Sequence, residues 1–274
     1  MILWLSGCSM TLDGFFFNGE ELSQYGFPTE VIPADRMEEV VFHSGEETLY
    51  GLWAWQYQPR THGTVVYFHG NAAHMDRYMD HVDVLWSLGY NVFQFDYRGY
   101  GRSTGSSSHD SAIEDGHAAV EQALLDAPWL REGSTELAYI GLSLGGFVAT
   151  HTALDAPPYA LVTQDMFASA DDLVELNFGM DNPDGWLFED AFDNAGAASQ
   201  LEVPYLILHG ADDSYIKPEH AEIVYEAANE PKRLFLVPGA DHAESATEHT
   251  DTYAAELVGW LDDWSPADED DAEE

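Results

Sequence analysis

Positive charge is what this chain has least of. Nine Lys plus Arg face 50 Asp plus Glu, a formal net charge of −41 over 274 residues. A surface of that sign repels phosphate backbones and argues against a nucleic-acid partner. Cysteine is nearly absent as well: the single Cys8 rules out an intrachain disulfide. No apolar run reaches the roughly 18 residues that a membrane-spanning helix needs. Strong acidity can signal disorder, but 45% hydrophobic content with 8 Trp, 14 Tyr and 14 Phe indicates a chain that folds around one sizeable core. Self-repulsion of this size is relieved by salt, so the composition reads as that of a halophilic or marine protein.

The two ends differ from the middle. Leu5-Ser6-Gly7-Cys8 resembles the bacterial lipobox, in which the cysteine becomes the lipid-modified first residue of the mature protein. The basic and fully apolar regions that precede a lipobox are missing here. The resemblance implies that residues 1–8 close a lipoprotein signal and that a lipid on Cys8 anchors the protein to the membrane of the cell envelope. The alternative is a cytoplasmic protein in which Cys8 is an ordinary small residue. Residues 9–36 read as an irregular segment, residues 37–265 as the folded domain, and the acidic "PADEDDAEE" of residues 266–274 as a disordered tail.

Within the domain the hydrophobic pattern changes character. "MEEVVFHS" and "ETLYGLWAWQY" alternate apolar with polar residues, an antiparallel strand pair turning at Gly45. The next strands, "TVVYFHG", "NVFQFDY", "ELAYIGL", "YALVTQD", "PYLILHG" and "KRLFLVPG", are continuous apolar runs. Helical patterns separate them at 74–88, 110–126, 144–155, 218–228 and 249–264. Buried strands alternating with amphipathic helices predict an α/β fold: a mostly parallel eight-stranded sheet with helices on both faces. Ligands of such sheets collect at the carboxyl ends of the strands.

Gly-x-Ser-x-Gly occurs twice, at residues 101–105 and 141–145. Ser103 lies in the Gly/Ser-rich "DYRGYGRSTGSSSHD", with no strand directly before it and no helix directly after. Ser143 ends the strand "ELAYIGL" and opens the helix "LGGFVATHTAL", the strand–turn–helix context of a nucleophile elbow. Side chains at Gly141 and Gly145 would collide with the neighbouring strand and helix. A serine needs a base to take its proton. Of the 12 histidines, His242 in "PGADH" follows a strand and reaches the edge that carries Ser143, whereas His220 and His249 fall on or beside helices. The base needs a carboxylate to fix its tautomer. Asp212 and Asp213 both follow "PYLILHG", and spacing does not separate them.

Taken together, "FHGNA", "DYRGYGRS", "GLSLGG", "LHGADDSYIKPEHA" and "PGADH" resemble the α/β-hydrolase superfamily, above all its lid-poor serine aminopeptidase-like and esterase group, in the right order over residues 38–264. The resemblance implies an α/β-hydrolase fold with a short insertion at 166–203 in place of a large lid. It selects Asp213 as the acid and leaves Asp212 a solvated turn residue. It also implies an oxyanion hole formed by the backbone amides of Leu144 and Asn71. The expected activity is hydrolysis of carboxylic esters through an acyl-enzyme, with no cofactor and no metal. An amidase, peptidase or thioesterase would use the same three residues, and a non-catalytic envelope protein on this fold is the reading from another class. The charge favours small neutral esters over anionic ones. Oligomeric state is not legible.

Three further groups are read as structural. Asp96, Arg98 and Arg102 brace a loop. His74, Asp76, Asp80 and His81 form a solvated helix face rather than a metal site. Phe167, Phe178, Trp186, Phe188 and Phe192 either pack among themselves or line an acyl pocket.

Overall fold

A computed structural model describes residues 14, 16–56, 62–127, 136–177, 179 and 192–266. The lipobox-like stretch with Cys8, the aromatics Phe178, Trp186 and Phe188, and residues 267–274 of the acidic tail lie outside the described residues.

The alternating first strands form the outer part of the sheet. β1 (Met37–Ser44) pairs antiparallel with β2 (Glu47–Ala54) through a tight turn in which Gly45 takes φ +60°, a conformation open to glycine without a Cβ penalty. β2 in turn pairs antiparallel with β4 (Asn91–Asp96). The remaining neighbours are parallel: β3 (Thr64–Phe68), β5 (Leu137–Leu142), β6 (Ala160–Gln164), β7 (Tyr205–Gly210) and β8 (Lys232–Val237). The spatial order is β1-β2-β4-β3-β5-β6-β7-β8, an eight-stranded, mostly parallel sheet.

The continuous apolar strands are those covered on both sides. Every residue of β3 to β7 is buried, and successive residues feed opposite layers. In β3, Val66 and Phe68 join the layer beneath α2 (His109–Asp126), α3 (Leu144–Asp155) and α4 (Glu219–Ala227). Val65 and Tyr67 join the layer beneath α1 (Met79–Ser87) and α5 (Thr250–Trp264). Helix α3 runs directly behind the sheet centre, and nine of its twelve residues are buried, so it presents no polar face. Emptying its fully buried Phe147 to alanine would cost about 3–5 kcal/mol.

The segment before β1 is irregular, as its composition suggests, yet firmly attached. It crosses the carboxyl edge of the sheet, where Leu22 N and Gly101 N exchange hydrogen bonds with Gly101 O and Glu20 O at 2.7 and 2.8 Å. Tyr25 donates its hydroxyl proton to the buried Asp96 at 2.5 Å. Gly26 N and Phe27 N donate to Asp76 at 2.7 and 3.1 Å.

The structure corrects two expectations for residues 74–88. The stretch begins as a 3-10 turn, Met75–Tyr78, and becomes α-helical only in α1. The face bearing His74, Asp76, Asp80 and His81 is not solvated as a unit: His74 and His81 are buried, and Asp76 receives the N-terminal segment. Periodicity along a helix carries no record of what a distant segment lays across it. The expected bracing by "DYRGYGR" is present. Arg98 clasps Asp115 at 2.7 Å, Arg102 meets Glu39 at 2.5 Å, and Asp96 accepts from Met75 N at 2.8 Å.

Candidate active site

Ser143 occupies the turn between β5 and α3 with φ 53° and ψ −115°, a left-handed conformation that costs a non-glycine residue about 1–3 kcal/mol. The surroundings enforce it. A Cβ on Gly141 would stand 2.4 Å from Gly145 O, and one on Gly145 would stand 2.0 Å from Phe68 O. Only glycine lets the helix start this close to β3. Ser143 N is tied to Gln164 O of β6 at 2.8 Å. A serine ahead of a helix ordinarily turns its hydroxyl back to cap it. Ser143 does not, and it lines a cavity of about 380 Å³ instead. Ser103, by contrast, is fully engaged: its hydroxyl donates to Asp96 O at 2.8 Å and accepts from Tyr50 N at 3.1 Å.

The loops after β7 and β8 bring Asp213 and His242 together, with His242 Nδ1 2.8 Å from Asp213 Oδ2. The other carboxylate oxygen accepts from Tyr215 N and Ile216 N at 2.8 and 2.7 Å. Burial opposes ionisation of this carboxyl, but hydrogen bonds from His209 and His242 overcome it and hold its pKa well below the usual carboxylate range. An ionised Asp213 can only accept, so His242 Nδ1 is the donor of this bond, which leaves the lone pair of the neutral ring on Nε2. That nitrogen makes no hydrogen bond to Ser143 in this resting geometry, in which His242 is bonded to Asp213 and its ring packs 5.0 Å from that of Tyr215. Asp212 is exposed, and Asp213 is buried.

Asn71 follows β3 on the opposite side of the serine. Its side-chain oxygen accepts from Asn18 N, Ala72 N and the Tyr100 hydroxyl at 2.9, 2.7 and 2.7 Å. Its carbonyl accepts from the Tyr78 hydroxyl at 2.7 Å. The amide of Ala72 is therefore spent, while Asn71 and Leu144 both line the cavity. As the first residue of α3, Leu144 has no intrahelical acceptor for its amide.

The family model described as serine aminopeptidase, S33, matches residues 59–170, and one described as PhoPQ-activated pathogenicity-related protein matches residues 180–265. The uncharacterised protein Rv2307c of Mycobacterium tuberculosis is 32% identical over 222 residues, which span 78% of this chain and 74% of that one. The uncharacterised protein YfhR of Salmonella typhi is 30% identical over 212 residues, 72% and 70% of the two chains. The chain belongs to the serine aminopeptidase-like group of α/β hydrolases. Among solved structures, the Pyrococcus furiosus esterase Pf2001 superposes with a TM-score of 0.73 at 20% identity, covering 92% of this hydrolase and 98% of the esterase. The Pyrococcus horikoshii acylaminoacyl peptidase superposes with a TM-score of 0.65 at 13% identity, covering 85% of this chain and 42% of that one.

Sequence reasoning missed three parts of the hydrolase's site: the N-terminal segment, His209 and Asp165. The cavity wall is completed from the N-terminal segment by Gly14, Phe16 and Asn18, with Phe16 stacked 4.2 Å from Phe192. Of the aromatics in the insertion, Phe167 lines the cavity and Phe192 is wholly buried behind Phe16. His209 places Nε2 2.7 Å from Ile216 O and 3.3 Å from Asp213 Oδ2, beneath the acid. Asp165, at the end of β6, is buried with φ 52° beside Asp213 and His242, and one polar atom from each of the three falls within a 4.8 Å cluster. A carboxylate directly after a strand at the ligand edge was the one signal that could have marked it.

Proposed function

We propose that this protein is a serine hydrolase that cleaves small neutral carboxylic esters through an acyl-enzyme. The observation that carries the reading is Ser143 held on a left-handed turn at a cavity, at the same sheet edge as a His242–Asp213 pair joined at 2.8 Å. Substrate binding closes the remaining link, from Ser143 Oγ to His242 Nε2, as in resting hydrolases whose catalytic hydrogen bonds tighten only in the complex. Ser143 Oγ attacks the ester carbonyl while His242 Nε2 takes its proton. The carbonyl oxygen gains negative charge and is held by the amides of Leu144 and Asn71. As the carbon–oxygen bond to the alcohol breaks, His242 returns the proton to the leaving oxygen. Water then repeats the sequence on the acyl-enzyme and releases the acid.

The walls and the charge together support the substrate class. Leu144, Phe167, Leu173 and Ile216 give the cavity an apolar lining suited to an acyl group. The net charge of −41 disfavours anionic esters and expels a carboxylate product. The test is labelling by a fluorophosphonate, expected for the native protein and lost in Ser143→Ala. A panel of p-nitrophenyl esters, thioesters and aminoacyl amides then separates the esterase from the peptidase and thioesterase using the same triad. Turnover confined to the amides would overturn the ester assignment.

A further inference from the structure

We infer that Asp165 is a positioning residue of this site, whose carboxylate fastens the acid-bearing and base-bearing loops to the end of β6 and so sets the Asp213–His242 bond. The inference rests on the reading of Asp213 and His242 as acid and base. Its two oxygens divide the work. Oδ1 accepts from Gly210 N at 2.7 Å, three residues before Asp213. Oδ2 accepts from Ala243 N at 2.9 Å, the residue after His242. The backbone amide of Asp165 adds a third tie, to Leu208 O at 3.1 Å. One side chain thus ties the residue after β6 to the last residue of β7 and to the loop after β8, and it is wholly buried.

The chemistry requires a carboxylate here. All its partners are N–H donors, Gly210 N on Oδ1 and Ala243 N with the Gln164 side-chain amide (3.4 Å) on Oδ2, so both side-chain oxygens must accept. An asparagine has the right shape but turns an NH2 group towards one amide, leaving two donors face to face. The left-handed φ of 52° is a further sign, because strain in a non-glycine residue persists where the surroundings over-determine it. Burial raises the carboxyl's pKa, and the nearby His209 and His242 offset only part of that rise. The other ionisable groups facing it are Asp213, Tyr67 of β3 and Tyr253 of α5.

The test is Asp165→Asn, with Asp165→Ser as the second variant should the first not fold. Two readouts are followed beside the melting temperature: ester kinetics, and the downfield proton signal of His242 Nδ1–H in the NMR spectrum. The expected result is a fall in kcat of about tenfold or more with KM changed less than twofold, together with an upfield shift or loss of the His242 signal. A merely structural carboxylate would lower the melting temperature and leave both readouts where they were. Either readout unmoved overturns the inference. If the native protein turns over no ester and takes no fluorophosphonate, the serine-hydrolase reading fails instead, and the NMR signal alone decides whether Asp165 sets the pair.

Discussion

Asp212 and Asp213 are adjacent in sequence and opposite in circumstance, one exposed and one buried against His242. Asp213→Asn would place the His242 proton on the wrong nitrogen, and kcat is expected to fall by about 10³–10⁴ with KM little changed. Asp212→Asn should leave kcat within about twofold on the same ester, since solvated surface changes are usually near neutral. Ester kinetics on the two variants make the comparison. A second residue-scale expectation concerns His81, whose ring burial pushes its pKa down to about 4. Unfolded, a histidine titrates near 6.5. Between those values the unfolded chain binds a proton that the folded chain refuses, so stability is present above pH 6.5 and is lost as pH falls towards 4. His81→Leu should flatten that slope by about 1.4 kcal/mol per pH unit, read from urea unfolding at pH 5 and pH 6. The catalytic candidates were legible at this scale because each lies just past the carboxyl end of a strand and reactive chemistry permits few residue types. Asp165 also follows a strand, but its partners are amides 45 and 78 residues away, and a backbone amide has no letter in the sequence.

Elements were legible where one face or two faces are buried by neighbours in the sheet, because that burial writes itself into period-two or continuous apolar patterns. The N-terminal segment was not, since its grip comes from scattered side chains and backbone amides reaching Asp76, Asp96 and Asn71. Its Phe16 closes one wall of the cavity and rests on Phe167 and Phe192 at 5.5 and 4.2 Å. Phe16→Ala should therefore open the acyl side and shift preference towards bulkier esters. A change of about tenfold in the kcat/KM ratio of octanoate to acetate p-nitrophenyl esters is the size expected when a hydrophobic pocket gains room for added methylenes. An unaltered ratio would mean that the acyl chain lies elsewhere.

At the scale of the whole molecule, three of the few cations among the described residues are paired with nearby acids. Arg98 is bound to Asp115 and Glu114, Arg102 to Glu39 and Arg233 to Glu256. Most of the 50 acidic side chains consequently repel one another without compensation. Raising ionic strength from about 0.01 M to 1 M shortens the screening length from about 30 Å to 3 Å. The melting temperature should rise by several degrees across that range, measured by calorimetry. Over the same range the preference for neutral over matched anionic esters should narrow, because the field that enforces it is being screened.

Asn71 is held through its side-chain oxygen and its carbonyl, and one of the donors, the backbone amide of Asn18, lies 53 residues upstream. In the proposed mechanism, a displacement of residue 18 would carry the Asn71 side chain with it and so disturb the amide assigned to the oxyanion. On that reading, catalytic competence depends on how the leading stretch is seated as well as on the sheet.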